Sequence, residues 1–242
     1  MDARTTRALK QRLESLAEAG VTSLPRPTRG AAVAGTQPEA EPPRPSVTPV
    51  APAATDRIQA LGLLHQQVAG CTRCAELAAT RTQTVFGAGN PAARLCFFGE
   101  APGADEDSCG EPFVGRAGQL LTKIIEACTL TRDDVFILNV LKCRPPGNRT
   151  PDPAEVANCR PFFERQFEVI APEFICCLGT TAAHALLRTT EPIGRLRRRW
   201  FDYGAAQVIC TYHPSYLLRN PAAKKDVWED MKMLMERMGV RL

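Results

Sequence analysis

From Asp56 onward, short unbroken apolar runs alternate with stretches in which apolar residues recur every three or four positions. Four runs, Arg94–Gly99, Val135–Val140, Phe174–Leu178 and Val208–Tyr212, have the length of strands. Lacking polar alternation, they read as strands buried on both faces. Helical spacing fills Ala117–Cys128, Pro153–Val169, Thr181–Leu187 and Ala222–Met238, and joins Ile58, Leu61, Leu64 and Val68 ahead of the first run. Asp152 as an N-cap, with Pro153 in the first turn and Glu155 at the third position, marks one helix start. Strand–helix alternation predicts the α/β class, with a parallel sheet covered on both faces.

Ligands of open α/β sheets bind beyond the carboxyl ends of the strands. Glu100 follows the first run, Asn139 nearly ends the second and His213 follows the fourth. Three polar residues distant in sequence are therefore expected to converge on one crevice.

The pattern fails towards the N-terminus. Eight of the 20 prolines lie between Leu24 and Ala54, where no hydrophobic period survives, which predicts a disordered linker. Residues 4–19 read as a short docking helix or a frayed tail. The expected organisation is an N-terminal extension over 1–55 and a folded domain over 56–242. A chain of 242 residues that is 44% hydrophobic and 23% charged supports one domain with a substantial core. No run is long enough to span a membrane, and the N-terminus lacks an apolar signal core, so a cytoplasmic protein is expected. The net charge of +4 is compatible with a nucleic-acid partner and does not by itself require one.

Ten cysteines in a cytoplasmic chain point to ligands and buried thiols more than to disulfides. Cys96, Cys176, Cys177 and Cys210 lie in apolar runs and Cys128 on a helix face, all as expected buried thiols; Cys109, in a polar loop, has no assigned role. Cys71 and Cys74 form a Cys-x-x-Cys pair, Cys143 follows after 68 residues and Cys159 after another 15. Zinc ribbons pair two such knuckles and fingers use paired histidines. Here there is one knuckle, and His65, His184 and His213 show no ligand spacing. Four such thiols suit an iron–sulfur cubane; zinc and unrelated thiols remain open on spacing alone. Lys142 and Arg144 flank Cys143 and Arg160 follows Cys159, cations that favour thiolate and offset cluster charge. No substrate path leads to the metal, so the cluster is expected to be structural.

Four segments carry a family resemblance. They are Gly99-Glu100-Ala101-Pro102-Gly103-Ala104-Asp105-Glu106-Asp107, Pro112-Phe113-Val114-Gly115-Arg116-Ala117-Gly118-Gln119-Leu120-Leu121, Asn139-Val140-Leu141-Lys142-Cys143-Arg144-Pro145-Pro146 and His213-Pro214-Ser215-Tyr216-Leu217-Leu218-Arg219. In this order, within about Leu61 to Met238, they resemble family-4 uracil-DNA glycosylases. The resemblance implies a three-layer α/β/α sandwich with a central four-stranded parallel sheet, and a 4Fe–4S cluster on Cys71, Cys74, Cys143 and Cys159. It also implies removal of uracil from DNA, and the protein is expected to be a monomer. A related enzyme that traps its product covalently carries a basic insertion ending in His after the Asn strand; Pro145–Arg149 has none, so ordinary hydrolysis is expected.

The chemistry assigns roles. A glycosylase must extrude the nucleotide into a pocket and read it there. Asn139 offers the acceptor and donor that match the uracil edge, and Phe113 offers a stacking face. His213 can donate to the oxygen on which negative charge develops. In the best-known sister family an Asp at the position of Ala101 positions the attacking water. Glu106 is therefore expected to serve the water or the cationic sugar, and Glu100 to form a pocket wall that excludes thymine. One methyl is worth only about 1–3 kcal/mol of attraction, so rejection needs a steric wall, which the turn from Gly99 through Ala101 to Gly103 can bring close. Ser215 and Arg219 are expected on DNA phosphate, and Leu217, with Leu218 behind it, in the space left by the extruded base. Arg195, Arg197, Arg198 and Arg199 read as a solvated face or a phosphate contact. No lysine stands out as a Schiff-base nucleophile, so the product is expected to be an abasic site in an uncut strand. The rival reading is a non-catalytic iron–sulfur DNA-binding module tethered through the N-terminal extension to a replication or repair partner; intact Asn139, Phe113 and His213 argue against it.

Overall fold

The computed structural model describes residues 54–242, so the expectations for the linker and for residues 4–19 lie outside the described residues. In chain order the elements are α1 (Ala54–Ala69), α2 (Ala75–Thr80), β1 (Ala88–Gly89), β2 (Leu95–Gly99), α3 (Ala104–Cys109), α4 (Arg116–Ala127), β3 (Phe136–Asn139), α5 (Pro153–Ile170), β4 (Phe174–Leu178), α6 (Thr180–Leu187), α7 (Ile193–Leu196), β5 (Trp200–Tyr203), β6 (Ala206–Thr211), α8 (Pro214–Arg219) and α9 (Lys224–Met238).

The sheet runs β1-β3-β2-β4-β6-β5. Its inner four strands are parallel and are the four apolar runs. The edge strands β1 and β5 pair antiparallel with β3 and β6, extending the expected four-stranded sheet to a mixed sheet of six. Hydropathy did not mark them for plain reasons: β1 has two residues, and β5 is only partly buried.

Successive side chains of the inner strands point to opposite faces. Leu95, Phe97, Cys176 and Ile209 pack with Leu121 and Ile125 of α4 and Met231 and Leu234 of α9. Cys96, Phe98, Cys177 and Cys210 pack with Leu64 of α1, Phe163 and Phe167 of α5 and Ala183 of α6. These two cores give the three layers. Helix α1 is fastened to α5 by Arg57, whose Nη1 donates to the Ile170 carbonyl at 2.9 Å.

Register sets the functional end. Gly99 pairs with Asn139, so β2 and β3 end level. The Gly179 N–H donates to the Thr211 carbonyl at 2.9 Å, levelling the ends of β4 and β6. The segments after these four ends face one another across the top of the sheet. Among the described residues no helix is long and apolar enough to cross a membrane.

Candidate active site

A cavity of about 340 Å³ opens at that end, and Glu100, Ala101, Glu106, Phe113, Asn139 and His213 line it. The expected convergence of three strand tips is thus present. Ser215 and Arg219 stand at the same cavity.

Asn139 is buried at the last position of β3, and its Oδ1 has no hydrogen-bond partner among the described residues. Such an orphan is costly unless a ligand satisfies it. Gly99 leaves the room beside it: a Cβ there would stand 2.5 Å from Cζ of Phe113 and would also strike the Asn139 amide.

Phe113 has φ of +55°, a left-handed conformation that bulky residues rarely adopt. The turn is held from two sides. Gly118 of α4 lies against the Phe113 carbonyl so closely that a Cβ would overlap it. Glu106 of α3 accepts N–H bonds from Val114 at 2.9 Å and Gly115 at 3.0 Å through Oε1, and from Gly103 at 3.0 Å through Oε2. The ring is thereby presented 5.6 Å from the His213 ring, centroid to centroid.

His213 is the N-cap of α8 and its Nδ1 accepts from the Ser215 N–H at 3.1 Å, with the Ser215 hydroxyl 2.8 Å away. An Nδ1 that accepts leaves the ring proton on Nε2, which has no protein partner among the described residues. Burial, reinforced by the Arg219 guanidinium and opposed by Glu106, pushes the imidazole down to about 4. At neutral pH His213 is therefore a neutral N–H donor at the cavity.

Two expected roles need correction. Glu106 is in the cavity, but both carboxylate oxygens hold loop amides, so it braces the Phe113 turn instead of reaching towards a water. The carboxylate with an oxygen to spare is Glu100, which accepts from the Thr181 hydroxyl through Oε2 alone. Leu217 is 1% exposed and packs into the core beside α9, while Leu218 is 38% exposed. Of the two leucines, only Leu218 is open to solvent. The arginine run also divides: Arg197 is buried, its Nε 2.7 Å from Asp230, so it is not a free phosphate ligand, while Arg199 is exposed and pairs with Glu191 at the surface.

The structure adds groups to which no role in the pocket had been given. Thr181 holds Glu100, and Asn148 and Arg149 form part of the cavity rim. Thr181 carried no signal beyond its place at a helix start. Lys142, a cation beside Cys143 in the chain, is buried and donates to the carbonyl of Asn139 at 2.9 Å.

The four expected cysteine ligands lie away from this cavity. Cys71 and Cys74 sit between α1 and α2, Cys143 follows β3, and Cys159 is on α5. Charge on Cys71 and Cys74 acts on Cys143, and charge on Cys143 and Cys74 acts on Cys159. Arg81 Nη1 lies 3.0 Å from Cys143 Sγ, and Asn158 Nδ2 lies 3.4 Å from Cys74 Sγ. Burial pushes the Cys159 thiol up to about 11 and raises Cys143, and the Lys142 backbone N–H and Arg81 respectively oppose it. Among the described residues no three His, Cys, Asp or Glu side chains close around a single metal ion. The other thiols follow expectation, with Cys96, Cys128, Cys176, Cys177 and Cys210 buried and Cys109 exposed.

Comparison with known proteins agrees with this geometry. Residues 86–232 match the family model described as the uracil DNA glycosylase superfamily. The chain is 43% identical over 180 residues to a type-4 uracil-DNA glycosylase of Thermotoga maritima, covering 73% of this chain and 93% of that protein. It is 40% identical over 190 residues to a type-4 uracil-DNA glycosylase of Archaeoglobus fulgidus, covering 75% and 95%. A third, from Saccharolobus solfataricus, is 42% identical over 188 residues, covering 74% and 87%. With the match running through β2, β3, β4 and β6 and through every residue that lines the cavity, the chain belongs to the type-4 uracil-DNA glycosylases of the uracil DNA glycosylase superfamily.

Proposed function

We propose that this protein hydrolyses the N-glycosidic bond of deoxyuridine in DNA, releasing uracil and leaving an abasic site. The observation that carries the reading is the buried, unpartnered Asn139 amide oxygen in a cavity shared with Phe113 and His213.

Extrusion costs a few kcal/mol, so the cavity must give it back selectively. Asn139 Oδ1 accepts the uracil N3–H and its amide nitrogen donates to the neighbouring carbonyl. Phe113 stacks on the base, which is worth about 1–3 kcal/mol. Cytosine presents a lone pair where uracil presents N3–H, so it leaves the Asn139 oxygen orphaned. Thymine meets the wall formed by Glu100 and the backbone from Gly99 to Gly103.

As the bond breaks, the base leaves as an anion and the sugar becomes cationic. The Nε2–H of neutral His213 donates to the carbonyl oxygen that gains the charge. A single preorganised donor of this kind contributes about 2.7–4 kcal/mol to lowering a barrier. A neutral imidazole stabilises the anion without giving up its proton. Glu100, steadied by Thr181, keeps one carboxylate oxygen for the attacking water or the cationic sugar. Ser215 and Arg219 hold phosphate, and Leu218 fills the vacated place in the stack.

The four thiols fit a 4Fe–4S cluster. They come from three separate segments and stand among cations, with Arg81 at Cys143 and Lys142 next to it in the chain. The cluster's role is to fix the scaffold, which needs no contact with the base. The domain begins near Asp56, and residues 1–55 serve as a tether to a replication or repair protein. The enzyme acts as a cytoplasmic monomer. Oligonucleotides with one U:G pair, treated with protein and then alkali, test the activity: strand breaks at the uracil position only after alkali are expected. Absence of alkali-labile product beside an active control overturns the reading.

A further inference from the structure

Lys142 lies three residues past the end of β3 and is 1% exposed. Its Nζ donates to the carbonyl of Asn139 at 2.9 Å and to that of Phe86 at 3.2 Å. Its own carbonyl accepts from the Val85 N–H at 2.7 Å, and Cys143 follows it directly in the chain. The Phe86 carbonyl is held in turn by Gln166 of α5 at 2.9 Å. These buried contacts tie the end of β3 to the Val85–Phe86 segment and, through Gln166, to α5. A buried ammonium is costly unless it is well paired. Charge balance for nearby thiolates asks only for a cation in the vicinity. It does not ask that the ammonium grip the backbone of the one residue whose amide faces the cavity unpartnered.

We infer that Lys142 is a positioning residue for base recognition, locking the carbonyl of Asn139 to the cysteine-bearing segment so that the amide is held at one depth in the cavity. This rests on the glycosylase reading. It also gives the cysteine site a mechanical consequence for the pocket: Cys143 adjoins Lys142 in the chain, and the side chain of Lys142 holds the strand tip.

Full-length Lys142→Met and Lys142→Gln proteins test it. Absorbance near 400 nm and circular dichroism establish cluster content and folding. Binding of free uracil and binding of abasic-site DNA are then measured separately. In loaded Lys142→Met, uracil binding should weaken by about tenfold or more, the loss of one well-placed hydrogen bond, and abasic-DNA affinity should stay within about twofold. Lys142→Gln, which keeps a neutral donor, should recover part of the uracil affinity. Wild-type uracil affinity in a folded, loaded Lys142→Met protein overturns the inference, as does a parallel loss of both affinities. If both variants fail to load while Asn139→Ala loads normally, Lys142 belongs to the scaffold and the positioning role is wrong. Wild-type protein that neither binds nor releases uracil instead removes the glycosylase reading on which the inference stands.

Discussion

Asn139 Oδ1 is buried and has no protein hydrogen-bond partner among the described residues, so truncating it leaves no protein donor unpaired. Removing an unsatisfied buried acceptor relieves a penalty of about 1–3 kcal/mol, and against this stands only the lost packing of a small side chain. Asn139→Ala should therefore melt within about 1 kcal/mol of the wild type, or above it, while uracil release is lost. Thermal denaturation beside the U:G assay checks both halves. His213 makes the complementary case. Its value of about 4, against an ordinary 6.5, means that the folded state resists protonation. Between those values the unfolded chain binds more protons, so the stability contributed by neutral His213 is complete above about 6.5 and is lost as pH falls through 4. The total is on the order of 3 kcal/mol. His213→Gln should flatten the fall in unfolding free energy between pH 6.5 and 4, and a slope unchanged from wild type would contradict the burial argument. His213→Ala should slow uracil release by about 10²–10³-fold with little change in DNA affinity. Both residues were visible in the sequence because each stands at a strand end and has chemistry suited to the base. The tautomer of His213 was not visible, since it depends on a Ser215 N–H that only the turn into α8 brings round.

At the scale of elements, the pocket depends on a turn held in a conformation its own residues do not favour. Phe113 adopts a left-handed backbone, and Glu106 restrains the turn with three accepted N–H bonds. Glu106→Ala orphans three donors at about 1 kcal/mol each, so a loss of roughly 3 kcal/mol is expected. A carboxylate that only positioned water would leave the melting temperature nearly unchanged. Calorimetry of Glu106→Ala therefore separates bracing from direct chemistry, and an unaltered melting temperature with lost activity would restore the catalytic role. The inner strands and the long helices were legible because each buries one period of apolar residues. The short elements around the site were not. Helices α3 and α8 have six residues each, too few to show a period. Leu217 and Leu218 are adjacent in sequence, and only the orientation of α8 decides which one faces solvent.

Taken as a whole, the molecule has a sheet secured by two apolar cores and an N-terminal helical pair secured in a different way. Helix α1 docks on α5 through a few apolar side chains and the bond from Arg57 to Ile170. The six-residue helix α2 buries one leucine, Leu77. So short a helix has little stability of its own. What ties the Cys71–Thr80 segment down is polar and local to the thiols: Arg81 reaches Cys143, Arg73 reaches the Asn158 carbonyl at 3.2 Å, and Arg149 joins Glu76 of α2 to Glu155 of α5. A cluster bonded to Cys71 and Cys74 on one side and to Cys143 and Cys159 on the other would be the strongest of these ties. Its loss should therefore act unevenly. In Cys143→Ala, absorbance near 400 nm should disappear, amide exchange should rise first across Ala54–Thr80, and the central strands should keep their protection until global unfolding. If protection fell uniformly over the sheet, the cysteine site would belong to the core. If Ala54–Thr80 were unaffected, the thiols would not be the fastening that the arrangement of this small, weakly buried segment requires.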